Sequence, residues 1–258
     1  MARVMAISSQ VVYGPVGLNC IVPALQSGGH EVLAIPTTLL SNHPGHGKPE
    51  GRATATTDLM AMISALEKLG ALKNLDAVIT GYFASVEQIE IVAALIKKLK
   101  CKTVLIDPVM GDHGKLYVSQ SVAEAIRDLL LPLATIITPN AFELSWLAGR
   151  PVNNENEAVQ AAQNFGVNEV LATSIPHSAH ALSTLRIVGS TVETITTPLE
   201  VEVPNGTGDY LSGLYLAGLL GATPQSAFPS AMHLLQNAIA HSKGTRVLDV
   251  AQIFKQKP

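Results

Sequence analysis

Two rhythms alternate along the chain. Short runs of consecutive apolar residues end at polar, glycine or proline positions, and between them apolar residues return every three or four positions. Arg3–Ser8 reads as a strand running into a glycine-containing turn, and Glu31–Pro36 as a second short strand. Thr57–Leu69 has helical spacing, with Leu59, Met62, Ile63, Leu66 and Leu69 on one side. Strands are expected at Asp76–Thr80, Thr103–Ile106, Thr135–Thr138 and Glu169–Thr173. Helices are expected at Glu87–Lys100, Val118–Leu131, Ala141–Leu147 and Glu155–Phe165. Thr184–Val188 and Thr191–Thr196 form a hairpin pattern around Gly189-Ser190, and Asp209–Leu220 and Pro224–Ser242 read as two long helices. Strands alternating with helices imply an α/β fold with a mainly parallel sheet covered on both faces. No segment is rich enough in Ser or charge to be a linker, so residues 1–258 read as one domain.

Composition sharpens this picture. Charged residues make up 14% of the 258 positions, against about 25% in ordinary soluble domains, while 47% are hydrophobic. That balance excludes a disordered chain. The charge is also unevenly spread: residues 4–30 and 210–242 contain no Asp, Glu, Lys or Arg. Neither stretch reads as a membrane span, which needs about 20 predominantly apolar residues. The first carries Ser8, Ser9, Gln10, Asn19 and Pro23; the second carries Pro224, Gln225, Pro229, His233 and Asn237. The net charge of −3, without a basic run, gives no electrostatic case for nucleic acid. Cys20 and Cys101 match no metal spacing and fit a reducing cytoplasm.

In parallel sheets ligands gather at the carboxyl ends of the strands, so the polar strings there carry the chemistry. Pro204-Asn205-Gly206-Thr207-Gly208-Asp209 runs directly into a helix. Glycines expose backbone N–H groups and a helix N-terminus favours negative charge, so the string can hold a phosphate. Asp209 beside it can take a proton from an attacking alcohol, or it can simply cap the helix. The Gly-Lys-Ser/Thr ending of a P-loop is absent. Asp107-Pro108-Val109-Met110-Gly111-Asp112 puts two carboxylates after a strand, either as ligands for Mg²⁺ or as solvated acids in a turn. Thr138-Pro139-Asn140-Ala141-Phe142-Glu143 has capping-box spacing, and Glu143 can also orient a water in a metal shell. Ser8-Ser9-Gln10 through Gly17 is polar without charge, which suits a neutral or zwitterionic aromatic substrate or an ordinary turn. Ser41-Asn42-His43-Pro44-Gly45-His46-Gly47 is a substrate cover or a plain connection.

Read in order, Ser9-Gln10-Val11-Val12-Tyr13-Gly14, Ser41-Asn42-His43, Thr80-Gly81-Tyr82, Asp107 to Asp112, Thr138-Pro139-Asn140 with Glu143, and Gly206-Thr207-Gly208-Asp209 resemble the pyridoxal kinase family of the ribokinase-like superfamily. The resemblance implies a three-layer α/β/α sandwich with a minimal lid. It implies ATP-dependent phosphorylation of the 5′-hydroxymethyl group of pyridoxal and related B6 vitamers, with ATP as co-substrate, Mg²⁺, and a monovalent cation such as K⁺. A cytoplasmic homodimer is expected. By the resemblance Asp209 is the base and Gly206, Thr207 and Gly208 form the anion hole. Ser9, Val11, His43, Pro44 and Tyr82 border the vitamer. Asp107, Thr138, Asn140, Glu143, Thr173, Ser174, Val203 and Asn205 fall on the nucleotide side. Asp112 and Glu143 hold Mg²⁺, partly through water.

The chain also departs from the family pattern. Pro44 stands where many relatives have a Thr able to bond the substrate. Leu116 occupies the region where some carry a reactive Cys, and Thr173-Ser174-Ile175-Pro176-His177 lacks a Lys that some place near ATP. A hydroxymethylpyrimidine kinase or a dual-substrate kinase is the nearest rival; the hydroxymethylpyrimidine branch commonly has Cys in place of Asp209. A non-catalytic vitamer-binding protein could lose Asp209 or the glycines without harm, and both are intact. A nicotinamide-binding Rossmann protein needs G-x-G-x-x-G after the first strand, which is absent.

Overall fold

The computed structural model describes residues 1–200, 202–221 and 223–254; the remaining positions of the expected 1–258 domain lie outside the described residues. Along the chain run β1 (Arg3–Tyr13), α1 (Leu18–Ser27), β2 (Glu31–Asn42), β3 (Gly51–Ala53), α2 (Thr56–Lys68) and β4 (Ala77–Thr80). There follow α3 (Val86–Leu99), β5 (Thr103–Ile106), the short pair β6 (Gly111–Asp112) and β7 (Lys115–Leu116), α4 (Gln120–Ala125), β8 (Ile136–Ile137), α5 (Ala141–Ala148) and α6 (Glu155–Ala162). The chain ends with β9 (Glu169–Ser178), β10 (Ala181–Val188), β11 (Thr191–Pro198), α7 (Thr207–Leu219) and α8 (Ala227–His241). The mixed α/β class and the mainly parallel strands are as the alternating pattern implies.

Two compact units divide the chain: Met1–Ala84 with Glu202–Pro258, and Ser85–Val201. In the first, β1 lies between β4 and β2, parallel to both, and β3 adds antiparallel to β2. Val4, Met5, Ala6 and Ile7 of β1 and Ala77, Val78 and Ile79 of β4 are fully buried, as parallel strands covered on both faces must be. Each large side chain among them contributes roughly 1.5–3 kcal/mol on burial. α1 packs on β1, and α7 on α1 and α8. The uncharged stretch after Asp209 is therefore core: Tyr210, Leu211, Leu214, Tyr215 and Leu216 are buried.

In the second unit β8 runs parallel between β5 and β9, and β9–β10–β11 closes the edge as an antiparallel meander. α3 shows how the local sequence sets an element. Ser85 caps it by accepting from the Gln88 N–H at 3.4 Å, Ile89, Val92, Ala93 and Ile96 form its buried stripe, and Lys100 ends it in the left-handed conformation.

Several boundaries differ from the sequence reading, each for a tertiary reason. β1 continues through Ser9 to Tyr13 because β2 continues beside it to Asn42, so the expected turn after Ser8 is strand. β9 runs to Ser178, because β10 pairs along it. The single helix expected over Val118–Leu131 is instead α4, a π-helical stretch at Ile126–Leu130 and a 3₁₀ turn at Leu131–Leu133. The helix expected at Pro224–Ser242 starts as a 3₁₀ turn and becomes α only at Ala227.

Candidate active site

The first unit assembles the expected vitamer and anion-hole residues at the carboxyl ends of β1, β2 and β4. Tyr82 is held by its backbone: its N–H donates to Ser8 Oγ at 3.1 Å, and its carbonyl accepts from Thr37 Oγ1 at 2.7 Å. Burial pushes its phenol up. Val11 is buried, and its carbonyl accepts from Asn19 Nδ2 at 2.7 Å. His43 caps the short turn Pro44–His46, its Nδ1 accepting from the Gly45 N–H at 3.1 Å. Burial, and then the neighbouring His46, hold the His43 ring below its usual range. The ring is therefore neutral near pH 7. With Nδ1 accepting, its proton sits on Nε2, available as a donor. Pro44 is exposed at the first position of that turn.

The turn reaches the loop that leads into α7. A β-carbon on Gly45 would stand 2.7 Å from Asn205 Nδ2. Gly206 is the N-cap of α7 at φ +92, and a side chain there would run into the Pro15 carbonyl and meet Cys20 Sγ at 2.9 Å. Gly208, by contrast, faces open space. The first N–H groups of a helix have no intrahelical partner, so Gly206, Thr207 and Gly208 combine free donors, the positive end of a helix dipole and room for a ligand.

Asp209 is not the helix cap. That place belongs to Gly206, and Asp209 sits in the first turn. Its Oδ1 is buried and has no hydrogen-bond partner among the described residues. A β-carbon on Gly81 would lie 3.5 Å from that oxygen and 2.5 Å from Ser8 Oγ. Burial pushes the carboxyl up to about 6, opposed by the nearby Gly17 backbone N–H. A buried carboxylate with a vacant acceptor and an affinity for protons close to neutral pH is suited to general-base work. Gly17 is a contributor the sequence reading quoted without a role. It lies at φ +56, and any side chain there would strike Ser9.

The second unit assembles the residues expected on the nucleotide and cation side. Thr138 follows β8, its N–H donating to the Ile106 carbonyl at 3.2 Å, beside buried Asp107 at the end of β5. The capping box is real: Asn140 Oδ1 accepts from the Glu143 N–H at 2.9 Å, and Glu143 Oε2 accepts from the Asn140 N–H at 3.0 Å. Glu143 does more than cap. Its Oε1 accepts from the Met110 N–H at 2.9 Å, and Asn140 Nδ2 donates to the Gly111 carbonyl at 2.8 Å. The loop carrying Asp112 is thus tied to the start of α5. Thr173 joins the group through a parallel bridge to Asn140.

Ser174 lies within β9 and not after it, exposed, with φ +55. Val203 is exposed too. His177 is taken by Glu155, at 2.8 Å.

Glu143 is pushed up to about 7, first by burial, against the backbone bonds it accepts, with the charge of Asp112 adding to the rise. Two carboxyls close enough to repel favour a cation near them. Among the described residues no three His, Cys, Asp or Glu side chains form a closed cage. That donor set fits Mg²⁺, which retains waters and takes phosphate oxygens as ligands.

The model of the phosphomethylpyrimidine kinase family matches residues 54–250. The pyridoxine/pyridoxal/pyridoxamine kinase of Bordetella avium is 35% identical, over 97% of this chain and 88% of that protein. The pyridoxal kinase of Corynebacterium diphtheriae is 31% identical, over 83% of this chain and 79% of that protein. Among solved structures, pyridoxal kinase from Entamoeba histolytica superposes with a TM-score of 0.93 at 29% identity, covering 99% of this chain and 95% of that one. Pyridoxal kinase from Leishmania donovani in complex with ADP and pyridoxine gives 0.90 at 30% identity, covering 96% and 92%. By fold, by the family model and by relatives matched over nearly its whole length, the chain belongs to the pyridoxal kinase family of the ribokinase-like superfamily.

Proposed function

We propose that the chain is an ATP-dependent kinase that phosphorylates the 5′-hydroxymethyl group of pyridoxal and related B6 vitamers. One observation carries this reading: the buried, unpartnered Oδ1 of Asp209 in the first turn of α7, next to the open backbone of Gly206–Gly208. The vitamer oxygen attacks the γ-phosphorus of ATP and gives its proton to Asp209. The bond from that phosphorus to the β–γ bridging oxygen breaks, and ADP leaves. The N–H groups of Gly206, Thr207 and Gly208 hold the transferring phosphoryl group, the kind of positioning on which phosphoryl transfer mainly depends. The names of the relatives, and the ADP and pyridoxine bound to one of them, support these substrates.

Ser9, Val11, His43, Pro44 and Tyr82 border the vitamer in this reading. Asp107, Thr138, Asn140, Thr173, Ser174, Val203 and Asn205 serve the nucleotide. Asp112 and Glu143 are the residues that would hold Mg²⁺, which supplies charge neutralisation at the phosphates when bound. Residues 1–258 act as one kinase domain, with the acceptor set in the first unit and most of the nucleotide set in the second.

No described helix is long and apolar enough to cross a membrane. The reduced thiols of Cys20 and Cys101 support a cytoplasmic enzyme. Val12, Tyr13 and Leu39, exposed at 80%, 57% and 55% on β1 and β2, support a homodimer. The phosphomethylpyrimidine kinase description favours one second reading, since hydroxymethylpyrimidine also presents a hydroxymethyl group on a heteroaromatic ring. ADP release with MgATP, measured against pyridoxal, pyridoxine, pyridoxamine and hydroxymethylpyrimidine, separates the two. Turnover of the three vitamers is expected; turnover of the pyrimidine alone supports the second reading, and no turnover sinks both.

A further inference from the structure

Four buried side-chain atoms among the described residues lack a hydrogen-bond partner: Thr38 Oγ1, His46 Nε2, Thr80 Oγ1 and Asp209 Oδ1. All four belong to the first unit. Native folds seldom leave such atoms unpaired, because each costs free energy in the folded state, so an orphaned hydroxyl beside a binding residue points to a ligand. Asp209 already has a role in the proposed function. Thr80 has no path to solvent, being 0% exposed. Thr38 differs by its place: its hydroxyl is buried too, but it pairs across the strands with Ser9, a residue expected to touch the substrate.

Local geometry brings it there. The register of β1 against β2 shifts once, so that Ser8 pairs with Pro36 but Ser9 pairs with Thr38. The extra residue, Thr37, turns its hydroxyl to the Tyr82 carbonyl. Thr38 then takes the place next to Ser9, and residues paired across neighbouring strands carry their side chains on one face. Val11, two residues after Ser9, continues that face and is buried.

We infer that Thr38 is a specificity-determining residue whose hydroxyl bonds the polar atoms of the vitamer ring. This rests on the vitamer kinase reading. The bond goes to the 3-hydroxyl or the ring nitrogen, which pyridoxal, pyridoxine and pyridoxamine share, and not to the 4′ group, in which they differ.

Thr38→Val removes the hydroxyl and keeps the shape. KM for each of the three vitamers should rise about tenfold, with kcat and KM for ATP within about threefold of wild type. The ligand-free variant should melt at a higher temperature, since an unpaired buried hydroxyl has been removed. Thr38→Ser should hold vitamer KM within about threefold. Unchanged vitamer KM in Thr38→Val, a loss confined to one vitamer, or a variant that melts lower or fails to fold overturns the inference. If the wild-type protein phosphorylates vitamers, the kinase reading stands whatever Thr38 does. If it neither binds nor phosphorylates any of them, both fall.

Discussion

The Gly17 backbone lies by the carboxylate of Asp209 and lowers its affinity for a proton, so the loop after β1 meets the first turn of α7. The same glycine presses against Ser9, so one backbone position touches both a residue proposed to border the vitamer and the proposed base. Its φ of +56 and ψ of −128 are open only to glycine at ordinary cost.

Gly17→Ala therefore acts on stability and chemistry together. The strained backbone and the collision with Ser9 should cost about 1–3 kcal/mol, read by urea denaturation. Alanine keeps the backbone N–H, but relief of the collision with Ser9 displaces it and weakens the one influence that lowers the Asp209 carboxyl. The acid limb of the kcat profile should therefore move to higher pH. An unshifted limb in a folded variant would show that the Gly17 backbone does not tune this carboxyl.

Asp209 also sets a pH dependence with opposite consequences for rate and stability. As a base it must be ionised, so kcat should fall as pH drops through about 6. For stability the sign reverses. The folded protein holds this proton up to about 6, whereas an unperturbed Asp loses it near 3.8. Across that window the folded state binds more protons, so this carboxyl makes stability fall as pH rises. Asp209→Asn should accordingly melt at a higher temperature than wild type at pH 7.5 and at nearly the same temperature at pH 3.5. A lower melting point at pH 7.5 would contradict the burial of an uncompensated charge.

Glu143 joins the second unit's loop to α5, and its removal should be felt in two readouts. Glu143→Ala leaves the N–H groups of Asn140 and Met110 without the carboxylate that accepts from them, at a cost of roughly 1–3 kcal/mol. KM for MgATP should rise about tenfold while the dissociation constant for pyridoxal stays near wild type. Equal losses for both ligands would indicate general unfolding and not a nucleotide-side defect.

The alternation of strands and helices was legible in the sequence because buried parallel strands and amphipathic helices write different periods. What local pattern could not show was where pairing continues past a polar residue. Ser8, Ser9 and Gln10 look like a turn, yet Val11 is buried and β2 runs alongside, so the strand persists. Asp209 and Glu143 stood out by type and position. The caps were harder: Asp209 resembles an N-cap in sequence, but the left-handed Gly206 takes that place. Asn140 and Glu143 form their box as spaced, while the bond from Glu143 to Met110 spans 33 residues and leaves no local trace. Thr38 was invisible for the same reason, since its place beside Ser9 depends on a register shift between two strands.

The role of Asp209 is open to a single comparison: kcat for pyridoxal with saturating MgATP in the wild-type protein and in Asp209→Asn, alongside the pyridoxal dissociation constant of each. A base beside an intact anion hole predicts a fall in kcat of roughly 10²–10⁴ with binding changed by no more than about threefold. Turnover near the wild-type rate in the Asn variant would contradict it.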